Sequence, residues 1–484
     1  MKIMKSMILV VVLAIGMQGV GTERPLDKNL QKGFDAIQPM NPYNYCKEMA
    51  SEKFSGRLTG HEGYTEAAQW AADYFKKWGL KPFNSQTGYL QPYPNPYVIV
   101  DQAEMTIFIN ERENATPLKL HEDFLPILYT DSVEYKAPVV FLGWGIHAPE
   151  LGYDDYEGIE VKGKFALCFR GTPDPGNKKF EEHDHHRQRM KTAKEKGCVG
   201  LIYIYDEVQA NPNGDWIQGF ASAVISEKSA DILLQEKGIT AQQLRKSLSS
   251  DKKPRSFPLN AEVECRFKSR DFPDGVGYNV VGIIEGSDPV LKKEGIVIGG
   301  HFDHAGKQLG ILFPGADDNA SGSAVVMEIA HAFSRLKVKP KRSLVFALFG
   351  SEEQGLRGSY YLASHLPPLV SRVDSMFNFD MVGEGDGTVC VLNPDFPQLE
   401  QTVKEADIYV HTLRSTRYIQ GVGVRSSDYA PFYLNGAVCV AFFSNGPHLH
   451  YHKPQDTIYR INPDIMADVA RLAFLTAYKW ADRL

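Results

Sequence analysis

GIVIGGHFD, residues 295–303, is a run of apolar and small residues without polar alternation that stops at a histidine and an aspartate. A strand with one wet face alternates, so a continuous run such as Ile296–Ile298 fits burial on both faces, as in a parallel sheet covered by helices. The next element agrees. GADDNASGSAVVMEIAHAF, residues 315–333, sets Val325, Val326, Ile329, Ala332 and Phe333 on one helical stripe. SLVFALFGSEE, SMFNFDMVG and AVCVAFFSN repeat the strand pattern, and a last helix starts at about Asp464. The expectation is an α/β fold whose mixed, mostly parallel central sheet is covered on both faces.

Working outward, the 484-residue chain exceeds one ordinary small core. Residues 65–78 read as a helix closed by Gly79. After the Pro-rich YLQPYPNPY come the strand-like EMTIFINE and APVVFLGWG, then VKGKFALCFRG, a basic helical stretch and VGLIYIYD, a second and smaller α/β pattern. A polar stretch near KSLSSDKKPRS reads as a linker back to the first pattern. The expected division is 22–98 with 271–484 as one unit, interrupted by an insertion at 99–270. Lys2 and Lys5 before the apolar Met7–Ile15, with small residues around Gly19–Gly21, predict a cleaved leader over 1–21 and an exported protein. No later segment reads as a membrane anchor. Lysine plus arginine number 53 against 59 acidic residues, with no block of either sign, which gives no support to nucleic-acid or anionic-membrane binding. The six cysteines are widely spaced and form no thiolate metal motif. No oligomeric state is specified.

Ligands of such sheets gather at the carboxyl edge of the strands. There GIVIGG ends in His301 and Asp303, LVFALFG in Glu352 and Glu353, and MFNF in Asp380, while AVCVAFFSN leads to His448, His450 and His452. Asp317 and Asp318 open the helix that follows the first strand. Short oxygen side chains suit a helix start, but one aspartate would suffice. So many carboxylates at one edge repel one another unless cations sit among them. Two divalent ions fit the count if Asp317 bridges them, with His301 and Asp380 on one and Glu353 and His452 on the other. Histidine and carboxylate ligands without thiolate suit Zn²⁺, with Co²⁺ or Mn²⁺ as possible substitutes. Asp303 is placed to orient His301 through its free ring N–H, and Glu352 is left over as a general base.

The motifs H-x-D at 301–303, GADDNASG at 315–322, GSEEQGLRGS at 350–359, NFDM at 378–381 and HKPQDT at 452–457, in that order, resemble the co-catalytic dizinc exopeptidases of the bacterial leucine aminopeptidase and glutamate carboxypeptidase type. SGRLTGHEGYTEAAQWAADYF looks like that superfamily's N-terminal segment. The resemblance implies a three-layer phosphorylase/hydrolase-like zinc peptidase fold and two zinc ions acting on peptide substrates. It implies His301, Asp317 and Asp380 at one zinc, Asp317, Glu353 and His452 at the other, and Glu352 as base. It also selects His452 among the three alternating histidines, assigns Tyr451 to the oxyanion, and makes the Asp317–Asp318 peptide cis. The insert is similar to a protease-associated domain, with its core at about 130–250.

An aminopeptidase is the leading expectation. The alternatives are a carboxypeptidase or dipeptidase, a single-zinc glutaminyl cyclase, and a binding protein without catalysis, for which every ligand position would not need filling. His331 is expected to be an ordinary helix residue, and His183, His185 and His186 to lie in a solvated loop. FLGWGIHA mimics a dinucleotide motif, but Pro149 interrupts any helix after it. Asn114 is a more credible glycosylation position than Asn319, which lies on the proposed metal loop. Glu384, near Asp380, is a candidate for holding a substrate amino group.

Overall fold

The computed structural model describes residues 25–109, 114–392, 396–416 and 427–484. The expected leader lies outside them, as does the Asn114 side chain. Among the described residues no helix is long and apolar enough to cross a membrane.

Nine strands among the described residues form the central sheet. Its middle is parallel: Ser343–Phe349, Glu294–His301, Arg372–Phe379 and Val438–Ser444 lie side by side in that order. Its margins are largely antiparallel, through Val276–Ile284 on one side and Thr388–Leu392 on the other. The sheet is therefore mixed, and parallel mainly at its centre. Alternate residues of these strands enter two cores, as the two-residue strand period requires. Ile296, Ile298, Phe346 and Phe377 face the helices Met40–Met49, Tyr64–Lys77, Gly322–Ser334 and Pro463–Asp482. Val297, Val345, Ala347 and Met376 face Leu362 and Phe432, from the short helices Arg357–Ser364 and Ala430–Leu434. This gives three layers. The rings of Phe333 and Phe474 meet at 4.7 Å and lock the two longest-buried helices together.

A second sheet of eight strands uses residues 97–272. The chain enters it along Tyr97–Ile109 and leaves along Ser256–Phe272, which pair antiparallel from Tyr97↔Phe272 onward. The stretch near KSLSSDKKPRS is not a simple linker. Its first half lies in the helix Ala241–Asp251, started by a capping box in which Thr240 and Gln243 satisfy each other's backbone N–H groups. The polar residues that suggested a linker are its solvated face. His183 pairs with Glu150 at 2.8 Å, while His186 starts a helix and is buried, so the expected solvated loop is only partly present. His331 packs on Trp78 at the far side of its helix.

Arg57 ties the N-terminal segment to the central sheet. It is 0% exposed, and its guanidinium donates to the carbonyls of Phe302 at 2.9 Å, Pro314 at 2.9 Å and Gly315 at 2.8 Å, and to that of Met49. Burial holds its pKa down to about 10. Replacing it by methionine keeps the volume but strands four buried carbonyls, each costing about 1–3 kcal/mol when left unmade. We expect Arg57→Met to lower unfolding stability by about 3–5 kcal/mol, measured by urea denaturation. A loss below about 1 kcal/mol would contradict the role given to this residue.

Candidate metal centre

The parallel strands deliver their terminal residues to one place. His301 ends its strand, Asp380 directly follows Arg372–Phe379, Glu352 and Glu353 follow Ser343–Phe349, and His452 lies in the loop after Val438–Ser444. The loop Ala316–Ser321 enters from the start of the helix Gly322–Ser334. Gly322 lets that helix begin against the neighbouring strand end, since a Cβ there would stand 2.4 Å from the Phe379 carbonyl oxygen.

Two ligand clusters share one residue, and that residue is Asp318. In the first, His301, Asp318 and Asp380 bring ligand atoms within 4.8 Å of one another; in the second, His304, Asp318, Glu353 and His452 do so. His301 Nε2 lies 3.2 Å from Asp318 Oδ1 and 3.3 Å from Asp380 Oδ1. His452 Nε2 lies 3.2 Å from Asp318 Oδ2 and 3.0 Å from Glu353 Oε2. Ser427 donates to the other Asp380 oxygen at 2.8 Å.

The expected bridge, Asp317, lies outside both of these clusters. Asp317 Oδ1 accepts the backbone N–H groups of Gly383 at 2.9 Å and Glu384 at 3.2 Å, and its Oδ2 meets His448 Nδ1 at 2.6 Å. Asp317 instead falls in a separate cluster with Glu384 and His448. Burial opposes a charged His448, but Asp317 outweighs burial and raises its pKa to about 9. The cis peptide joins Asp318 to Asn319, one bond beyond the expected one. Asp456, the aspartate of HKPQDT, holds the loop by accepting the N–H of Asp317 at 2.8 Å and of Asp318 at 3.1 Å. Burial, followed by the charge of Asp317, pushes Asp456 up to about 8.

Asp303 acts on His301 through a different atom from the one expected. His301 Nδ1 meets the Asp303 backbone carbonyl at 3.1 Å, whereas the nearer carboxylate oxygen is 3.9 Å away and instead accepts the Glu352 N–H at 3.1 Å. His452 Nδ1 likewise meets a carbonyl, that of Ala210, at 3.0 Å. With both Nδ1–H groups donated to carbonyls, each neutral imidazole turns the lone pair of Nε2 toward carboxylate oxygens. That is repulsive between protein groups alone and favourable with a cation between them. The buried Asp318 Oδ2, lacking a well-directed hydrogen bond, marks the same gap. The residues present thus fit divalent metal such as zinc.

Without a cation, the histidines themselves carry the compensating charge. Burial opposes the charged form of His301, but Glu352, Asp380 and Asp318 overcome it and raise its pKa well above normal; Glu353 and Asp318 do the same for His452. Burial likewise opposes an ionised Glu353, yet His452 and His304 hold it down to about 2. Glu352 is pushed well above the carboxylate range, first by burial and then by neighbouring carboxylates that outweigh His301. It also lies within a ligand-sized cluster with His301 and Glu353, which places it beside both groups.

Tyr451 is 42% exposed and stacks on the His452 ring at 3.8 Å. Asn319 is wholly buried and caps the helix start by accepting the Gly322 N–H at 2.9 Å. His304, Asp456 and Ser427 were not singled out from sequence. His304 directly follows the H-x-D motif and meets Glu353 at 2.9 Å, so its adjacency was the one available signal. Glu384 lies with Asp317 and His448 rather than in either shared cluster, and its Oε1 is buried without a partner.

The comparisons with known proteins point to the same region. Residues 279–477 match the model of peptidase family M28. Leupeptin-inactivating enzyme 1 of Streptomyces exfoliatus is 35% identical over 173 residues, 36% of this chain and 37% of that protein. Aminopeptidase YwaD of Bacillus subtilis is 24% identical over 320 residues, 60% of this chain and 64% of that one. The chain thus spans less than two thirds of either relative. The solved aminopeptidase from Aneurinibacillus sp. strain AM-1 shares the fold, with a TM-score of 0.65 and 20% identity over 94% of this chain and 96% of that one. Residues 279–477, the segment similar to peptidase family M28, carry both shared clusters.

Proposed function

We propose that the chain is a dizinc aminopeptidase that releases N-terminal residues from peptides, with Asp318 as the residue that would serve both ions. The observation that carries this reading is the pair of clusters meeting at Asp318 with Glu352 beside them. His301 and Asp380 would hold one ion, and Glu353 and His452 the other, with His304 against Glu353. When bound, the two zinc ions supply Lewis acidity toward a water and a peptide carbonyl.

The residues of the chain do the rest. Glu352 takes a proton from the attacking water. It then gives that proton to the leaving amine. Tyr451, exposed toward solvent beside His452, reaches the developing oxyanion. Asp303 and Ala210 keep the two ligand imidazoles in the tautomer that presents Nε2. The names of the relatives favour release from the amino end, and Glu384 is a candidate partner for the substrate ammonium. The insertion at 99–270 is read as holding a protease-associated domain, and the leader at 1–21 as a signal for export to the periplasm or medium.

Dialysis against a strong chelator is expected to abolish hydrolysis of free-amine peptides, and about two equivalents of zinc per chain to restore it, counted by elemental analysis. N-acetylated peptides should resist cleavage. Cleavage of those peptides from their carboxyl end would overturn the aminopeptidase assignment, and full activity without metal would overturn the centre.

A further inference from the structure

The unit of the eight-stranded sheet meets the metal centre through the loop at residues 210–215, through Arg187, and through Tyr129, whose hydroxyl accepts from Gln354 at 3.2 Å. Ala210 bonds His452 in both directions: its carbonyl faces His452 Nδ1 at 3.0 Å, and its N–H donates to the His452 carbonyl at 2.9 Å. Asn211 anchors the loop inside the inserted unit against His186 and Tyr205. Arg187 then joins this loop to the one carrying Glu352 and Glu353. Its Nε donates to Asp215 at 2.8 Å, Nη1 to Asn213 at 2.5 Å, and Nη2 to the carbonyls of Gly214 at 2.9 Å and Gln354 at 2.7 Å. The approach is close by construction. Gly355 has φ +100, and a Cβ there would stand 2.5 Å from the Arg187 guanidinium.

We propose that Arg187 is a positioning residue of the metal centre, which clamps the loops of Glu353 and His452 in mutual register from the inserted sheet. The proposal rests on the dizinc reading above. One planar fork with donors on three nitrogens can serve two loops at once, which a single ammonium cannot. Neither ligand touches Arg187, so its effect passes through the Gln354 carbonyl on one side and the Ala210 carbonyl on the other. Groups that orient ligands in this way typically govern metal affinity by about 10–100-fold.

The test compares Arg187→Lys and Arg187→Ala with the wild type. Zinc affinity is measured by competition with a chromogenic chelator, kcat and KM on an amino-acid p-nitroanilide, and thermal midpoint on metal-free protein. The expected result is a loss of about tenfold or more in affinity for the weaker-held zinc, with kcat falling similarly and KM moving less than about twofold. If Arg187→Ala does not fold, Arg187→Lys decides by the same readings. Unchanged zinc affinity and kcat in a folded variant, whatever its thermal midpoint, overturns the proposal. Wild-type protein that binds no zinc would instead overturn the dizinc reading on which it rests.

Discussion

Asp318→Asn is expected to empty the centre, while Asp317→Asn leaves it filled. Asp318 gives one oxygen to each cluster, at 3.2 Å from the Nε2 of His301 and of His452. An asparagine has one oxygen and one NH₂, so at least one ion would face a donor group where it needs an acceptor. We expect zinc affinity to fall by at least about a hundredfold, beyond the usual effect of a supporting group. Asp317 spends both oxygens on Gly383, Glu384 and His448. Its asparagine variant keeps an acceptor for the two N–H groups and loses the charge opposite His448, so zinc affinity should stay within about tenfold of wild type. Isothermal titration of both apo-proteins with zinc reads the contrast directly. Loss of zinc from the Asp317 variant with retention by the Asp318 variant would reassign the bridge.

Glu352→Gln is expected to lower kcat by about 10²–10⁴-fold with both zinc ions still in place. Glutamine keeps the size of the side chain and its Oε acceptor but cannot take a proton. Folding should survive, because the backbone N–H of Glu352, not its side chain, makes the bond to Asp303. Single-turnover rates on a saturating peptide, with zinc content measured on the same sample, separate chemistry from metal loss. A variant within about tenfold of wild type, fully loaded, would remove Glu352 from the reaction.

Much of this arrangement could be read from the sequence because it follows from strand ends. His301, Glu352, Glu353 and Asp380 close apolar runs, and the edge rule places them together. The helix expected at 65–78 occupies Tyr64–Lys77, where its alanines and Phe75 form the stripe facing the sheet. The choice between Asp317 and Asp318 was different in kind. The loop departs from helical geometry at Asp318, with φ −105° and ψ 95°, and at Asn319, with φ −132° and ψ 43°. Adjacent carboxylates there face unrelated partners, and residue type does not distinguish them. Asp456 and Arg57 were hidden for another reason. Both act on backbone groups from distant parts of the chain, and backbone acceptors leave no pattern in a sequence. The helix Ala241–Asp251 was missed because its polar face outweighs its three buried residues, Ala241, Leu244 and Leu248.

The paired entry and exit strands of the second sheet bear on how the chain finds this fold. Leu90–Pro94 must pair with Val276–Val280 to finish a margin of the central sheet, across roughly 180 intervening residues. Once Tyr97 and Phe272 are zipped together, with their rings stacked at 4.7 Å, those two partners are held almost in contact. The chain to be closed shrinks to about ten residues, and the entropy of closure drops by about 2–3 kcal/mol. The paired entry and exit strands of the inserted sheet thus leave only a short closure for this margin of the central sheet, whose pairing needs the chain as far as residue 280.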